Sequence, residues 1–263
     1  MIKKDGEGLK SISLYTEKDS WIHDIDPISK LYYILFSILV PVVLPSFTFS
    51  IICVALSIGF LIAGKVFRRA LAAFGFVLFI LFTVVIIQGF FKPDNETALF
   101  HLGPFTMYKE GLLYGLEITL RVINIVGAFM ILVLTTKPSD LVESLVRKGL
   151  SPRIGYVISS VFQIIPEMMS AMSTITDAQR ARGMETEGKL CVRVRAFLPL
   201  MGPVVLSSLI NTKERAMALE VRGFNSRVPK TYLNEEKKYR HSKLIQWGLS
   251  LLTAAALAWR IFA

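Results

Sequence analysis

Runs of about twenty mostly apolar residues constrain this chain more than any other feature, because a helix of that length matches the roughly 30 Å hydrocarbon core of a bilayer. Five such stretches stand out: KLYYILFSILVPVVLP (30–45), SFTFSIICVALSIGFLIAG (46–64), LAAFGFVLFILFTVVIIQGFF (71–91), GLLYGLEITLRVINIVGAFMILVL (111–134) and LIQWGLSLLTAAALAW (244–259). Only Pro45 and Ser46 separate the first two, which predicts a tight hairpin. The fourth carries Glu117, Arg121 and Asn124 and is expected to face protein rather than lipid. The fifth is short, but Lys243 and Arg260 bracket it and can snorkel to the interfaces. The chain is 53% hydrophobic, above the soluble norm of about 45–50%. The expected fold is an all-α integral membrane protein with about five transmembrane helices and a further subdomain of amphipathic helices.

The net charge of +10 is distributed as a topology signal. Lys3, Lys4, Lys10 and Lys18 precede the first span, and Lys65, Arg68 and Arg69 lie between the second and third. The 137–243 connection is dense in Lys and Arg, whereas 92–110 has only Lys92 and Lys109. Positive-inside then predicts a cytoplasmic N-terminus and an external C-terminus, and no nucleic-acid partner is called for. The first block follows some thirty polar and mixed residues, including Asp5, Glu7, Glu17 and Asp19, so it reads as an internal signal-anchor, not a cleavable signal. Four regions are expected: 1–27 as a cytoplasmic segment, 28–136 as a four-helix membrane part, 137–243 as a cytoplasmic helical subdomain, and 244–263 as a C-terminal span.

Residues 137–243 are too many for an ordinary loop. From Gly155 to Arg182, Val157, Val161, Ile164, Ile165, Met168, Met172 and Ile175 recur at three- and four-residue steps, an amphipathic helix that Pro166 is expected to kink or divide. A second apolar stretch, AFLPLMGPVVLSSLI (196–210), is interrupted by Pro199, Gly202 and Pro203, and NTKERAMALEV then runs as another helix. Both segments end alike, in Ala181-Arg182-Gly183 and Val221-Arg222-Gly223. Singly, such an ending is a stop signal: arginine complements the helix dipole and glycine supplies the left-handed cap. Two in one insert point further, since a guanidinium fork on a helix end is a good plug for a partner's groove, making bidentate contacts to carboxylates and carbonyls.

The paired endings, together with DIDPISKL (24–31), TTKPSDLVESL (135–145), IPEM (165–168), DAQRARG (177–183) and KERAMALEVRGF (213–224), resemble the transmembrane T component of energy-coupling factor transporters, a branch of the ABC superfamily. Ile28 stands where that family often has a basic residue, and Val221 where it has alanine; neither departure touches Arg182, Gly183, Arg222 or Gly223. The resemblance implies a non-catalytic scaffold for import of a vitamin or transition-metal ion into the cell. It implies that two ABC-type ATPase subunits, as a homo- or heterodimer, each receive one arginine-tipped coupling helix, while a membrane-embedded S component binds the substrate. Met168, Met169 and Met172 are candidate S-component contacts; with Met184, Met201 and Met217 they form either an adaptable partner surface or packing between the helices.

The competing reading is a membrane-embedded transferase or hydrolase with a cytoplasmic active site. Its usual clustered carboxylates or histidines are missing: His23, His101 and His241 are isolated. A self-contained secondary transporter is disfavoured by the lack of paired broken spans. GFLIAGKV (59–66) imitates a phosphate-binding loop, but Val66 stands where a hydroxyl must hold Mg²⁺. Glu117 and Arg121, four apart, are expected to pair on one helix face. Cys53 and Cys191 fall in different environments and are read as packing residues. No catalytic residue, metal ligand or cofactor is assigned.

Overall fold

A computed structural model describes Tyr15, Lys18 and residues 20–92, 97–102, 105–184, 190–226 and 242–262, with the side chains of 100–106, 190–198 and 262 outside that description. Lys3, Lys4, Lys10 and the acidic residues expected to precede the first span lie outside the described residues, as do His241 and the side chains of His101 and Cys191. The described elements are α1 Pro27–Val43, α2 Phe47–Ala63, α3 Phe67–Phe91, β1 Ala98–Leu102, β2 Phe105–Tyr108, α4 Lys109–Thr135, α5 Pro138–Arg147, α6 Pro152–Ala181, α7 Leu190–Val221 and α8 Ser242–Phe262. The protein is an all-α membrane protein, with an antiparallel β-hairpin between α3 and α4. The chain forms two compact units, one holding Ser13–Ser144 with Lys237–Ala263, the other Leu145–Glu236.

In the first unit α4 is central and packs on α1, α2 and α3, while α8 packs on α1. Two glycines on α4, Gly111 and Gly115, let it approach α3 closely: a Cβ on Gly111 would sit 2.2 Å from the Gln88 carbonyl oxygen, and one on Gly115 2.9 Å from Val85 Cα. This is the small-xxx-small device by which membrane helices gain dispersion contact when lipid and side chains are equally apolar. Toward the other end of α4, Ile131 and Leu134 join Ile22, Leu61, Val66, Ala70 and Phe74 in a buried cluster.

A polar seam crosses this apolar packing. Tyr33 Oη donates to Ser57 Oγ (2.7 Å), Ser57 Oγ donates to Asn124 Oδ1 (2.7 Å), and Asn124 Nδ2 donates to the Ser37 carbonyl (3.0 Å). Where water is excluded an unpaired amide is costly, so each bond ties α1, α2 and α4 in one register. The expected Glu117–Arg121 pair forms at 3.0 Å. Asp26 caps α1, its Oδ1 accepting from the Ile28 amide (3.2 Å) with Pro27 at the first helical position. Its Oδ2 accepts from Ser242 Oγ (2.7 Å) and Gln246 Nε2 (2.9 Å), which fastens α8 to the start of α1.

The hairpin expected at Pro45-Ser46 is present, since α1 ends at Val43 and α2 begins at Phe47. Val66, in the segment that imitates a phosphate loop, is buried in the apolar cluster. Among the described residues four helices are long and apolar enough to cross a membrane: α3, α4, α6 and α8 over Ser242–Ile261. Helices α1 and α2 are apolar but only 17 residues each, about 25 Å by helical rise. Of the two alternatives at Pro166, division is overturned, since α6 is one helix from Pro152 to Ala181, and the break expected at Pro199, Gly202 and Pro203 is overturned likewise, since α7 is one helix from Leu190 to Val221. A proline removes one intrahelical bond and bends its surroundings, but long helical flanks on both sides can carry the helix across it. Continuity also makes α6 one of the four helices with span-like length and composition, although its periodicity alone reads as a surface helix.

Candidate functional site

Both arginine-glycine pairs lie in the second unit, and local backbone chemistry shapes them identically. Helix α6 ends at Ala181; the Gly183 amide donates to the Arg180 carbonyl (2.9 Å) and the Met184 amide to Gln179 (3.1 Å). Helix α7 ends at Val221; the Gly223 amide donates to Glu220 (2.9 Å) and the Phe224 amide to Leu219 (3.0 Å). These paired bonds are the Schellman closure, which requires a left-handed residue, and Gly183 (φ +87°) and Gly223 (φ +71°) supply it.

The closure by itself is only a stop. Helix α5 ends in the same way at Lys148-Gly149, with Gly149 at φ +119° and the Leu150 amide on the Leu145 carbonyl. What distinguishes the arginine pairs is what they project. Ala181, Arg182, Gly183, Val221, Arg222 and Gly223 are all exposed, Val221 at 89%. Neither Arg182 nor Arg222 makes a side-chain hydrogen bond or ion pair among the described residues, so both forks are open to an external acceptor.

Tertiary packing then sets how the two tips relate. Helices α6 and α7 pack together, and Arg215 Nη2 on α7 reaches both carboxylate oxygens of Glu167 on α6 at 2.5 and 2.7 Å. The Phe224 ring meets Tyr156, near the start of α6, with centroids 5.2 Å apart. The second tip therefore sits beside the beginning of α6, while the first tip is the end of the same helix. From Tyr156 to Arg182 the rise of an α-helix is about 39 Å. The two guanidinium forks are held at opposite ends of one antiparallel helix pair, tens of ångströms apart.

Between the tips the pair shows apolar side chains outward. Met168 and Met169 are exposed and Met172 is half-buried, beside exposed Val161, Phe162 and Ile165 on α6 and Leu206, Leu209 and Met217 on α7. Met168, 36% exposed, lines the crevice between the two helices with Ile164 and Ser208, whereas Met169 is 55% exposed. Glu167, Arg215 and Phe224 lie in the motifs IPEM and KERAMALEVRGF, but the sequence does not show that Glu167 meets Arg215 or that Phe224 meets Tyr156, because each partner lies 48 or more positions away. Among the described residues no group of His, Cys, Asp and Glu has the arrangement of a metal site.

Residues 18–233 match the family model CbiQ, described as a cobalt transport protein. A protein of Streptococcus thermophilus named energy-coupling factor transporter transmembrane protein EcfT is 31% identical over 274 residues, covering 95% of this chain and 97% of its own length. Proteins of the same name from Brevibacillus brevis (31% identical) and Staphylococcus aureus (28% identical) each match 86% of this chain and 88% of themselves.

Proposed function

Since the chain belongs to the CbiQ/EcfT family, the non-catalytic transmembrane components of energy-coupling factor transporters, we propose that its two arginine-tipped helix ends are the points at which ATPase motion enters the membrane part. The observation that carries the proposal is the arrangement of α6 and α7: two open guanidinium forks of one chemistry at opposite ends of a cross-linked helix pair. A single groove cannot take both tips, and two ABC-type ATPase subunits side by side offer two. Closing of the ATPases would move both ends of one rigid lever. The exposed apolar surface between them, with Met168, Met169 and Met172, is the face proposed for a membrane-embedded S component that binds the substrate, a vitamin or transition-metal ion. Unbranched, polarizable methionines suit a contact that must re-pack as the partner moves.

The chain is a multi-pass membrane protein, and we place its N-terminus in the cytoplasm and its C-terminus outside. The basic residues at the α2–α3 turn, Lys65, Arg68 and Arg69, support that orientation. The test is co-purification with the ATPases, together with substrate uptake, for Arg182→Ala, Arg222→Ala and the double variant. Both side chains are exposed, so membrane insertion and thermal stability should be unchanged. Each single variant should transport poorly, and the double variant should lose the ATPases or uncouple them. A buried, charge-assisted contact of this kind is worth about 2–5 kcal/mol. Lysine should restore function only in part, because a point charge cannot make the bidentate contact. Full uptake and full ATPase retention by the double alanine variant would leave the two motifs as helix stops.

A further inference from the structure

In the first unit, the end of the helix bundle that carries Lys65 at the α2–α3 turn also holds a cavity of about 440 Å³, within the usual range for small-molecule sites. Three stretches wall it: the segment before α1, the first turn of α1, and the α4–α5 junction at 135–140. Its described lining brings Lys18, Lys30 and Lys137 together with Asp24 and Asp140.

Lys30 is the informative residue, because only 4% of it is exposed. Its ammonium donates to the Thr135 carbonyl (3.1 Å) and to Thr136 Oγ1 (3.0 Å), and both acceptors line the same cavity. An ammonium has three N–H donors, so one is left for whatever occupies the space. Lys18 stands at the rim, its Nζ donating to the Lys65 carbonyl (2.7 Å), and Lys137 Nζ lies 5.3 Å from the Tyr15 ring centroid. Asp24, Asp26 and Asp140 already lend Lys30 counter-charge, so the lining is mixed rather than simply cationic, and with Lys18 and Lys137 at the same opening it suits a zwitterionic group that pairs a multi-oxygen anion with an amine. Asp24 and Asp140 add acceptors for that amine. Trp21, 66% exposed on the cavity wall, is the residue type that collects where headgroups meet the hydrocarbon.

We propose that this cavity binds a phosphate group carried by a membrane phospholipid headgroup, with the phosphate against Lys18, Lys30 and Lys137 and the amine of an ethanolamine headgroup against Asp24 and Asp140. The proposal does not depend on the coupling role of α6 and α7. A lipid held here would brace the segment before α1 against the α4–α5 junction, at the membrane surface where that junction leaves the bundle.

The test uses the full chain in detergent, stripped of native lipid and titrated with short-chain phosphatidylethanolamine, short-chain phosphatidylglycerol or inorganic phosphate, with bound species counted by native mass spectrometry. Lys18 and Lys137 are exposed, so the Lys18→Ala/Lys137→Ala double variant should melt as the parent does. It should bind phosphatidylethanolamine at least tenfold more weakly. The parent should prefer phosphatidylethanolamine to phosphatidylglycerol, and Asp24→Asn should reduce that preference. If inorganic phosphate binds as tightly as the lipids and is lost in the same variant, the phosphate site stands and its source is soluble. Equal binding by parent and double variant, or no binding of any of the three probes, would overturn it.

Discussion

Replacing Gly111 by alanine adds one methyl group at the tightest point between α3 and α4. The new Cβ would lie 2.2 Å from the Gln88 carbonyl oxygen and 2.9 Å from Gly89 Cα, both backbone atoms that cannot rotate away. Ordinary contact begins near 3.5 Å, so the two helices must separate locally by about 1 Å. A gap of that size forfeits a quarter to a half of each dispersion contact along the seam, and overpacking of this kind typically costs about 1–3 kcal/mol. No amphipathic driving force between membrane helices makes up the loss, so the upper part of that range is expected. The measurement is thermal unfolding of the detergent-solubilised chain, where about 2–3 kcal/mol corresponds to a drop of roughly 4–12 °C for a protein of this size. Gly59→Ala and Gly75→Ala are the internal controls, because a Cβ at either position meets nothing within 4 Å. A melting temperature for Gly111→Ala indistinguishable from those controls would refute close backbone packing as the basis of the α3–α4 interface.

Three further outcomes are expected. Asn124→Leu leaves Ser57 and the Ser37 carbonyl without their partner and should cost about 1–2 kcal/mol by the same melting assay, whereas Ser139→Ala, at an exposed hydroxyl, should cost nothing measurable. Gly183→Ala and Gly223→Ala force a side chain into left-handed backbone at about 1–2 kcal/mol each. They should impair uptake while leaving insertion intact, and normal uptake by both would mean that the orientation of the tips is immaterial. Single cysteines at Asp94 and Glu235, in a background lacking Cys53 and Cys191, should be labelled from opposite sides of the membrane if α6 does not cross. Labelling from the same side would make α6 a span and require the proposed orientation of the C-terminus to be redrawn.

The arginine tips were legible in the sequence because helix termination is local chemistry. A left-handed glycine after a basic residue is specified within about six positions, and Gly183 and Gly223 adopt the backbone that those positions demand. The same locality explains why Lys148-Gly149 folds alike without inviting notice: Arg147 and Lys148 stand where the two tips have a small or β-branched residue followed by arginine. Pro199 and Pro203 misled for a related reason. A proline is a strong local signal, but whether it divides a helix depends on how far the flanks propagate and on what packs against them.

By itself the sequence determined the membrane class, the α1–α2 hairpin, the Glu117–Arg121 pair and the two tips, all of which rest on composition or on residues within a few turns of one another. Only the tertiary structure decided that Asn124 meets Ser57 and Ser37, that Asp26 holds α8, that Gly111 lies against Gln88, and that the arginines stand at opposite ends of a helix pair. The physical reason is that a membrane helix is apolar on its lipid side and on its protein side alike. Hydropathy then fixes neither its rotation nor its neighbours, and these are left to the close-fitting glycines and the few polar groups that must find partners.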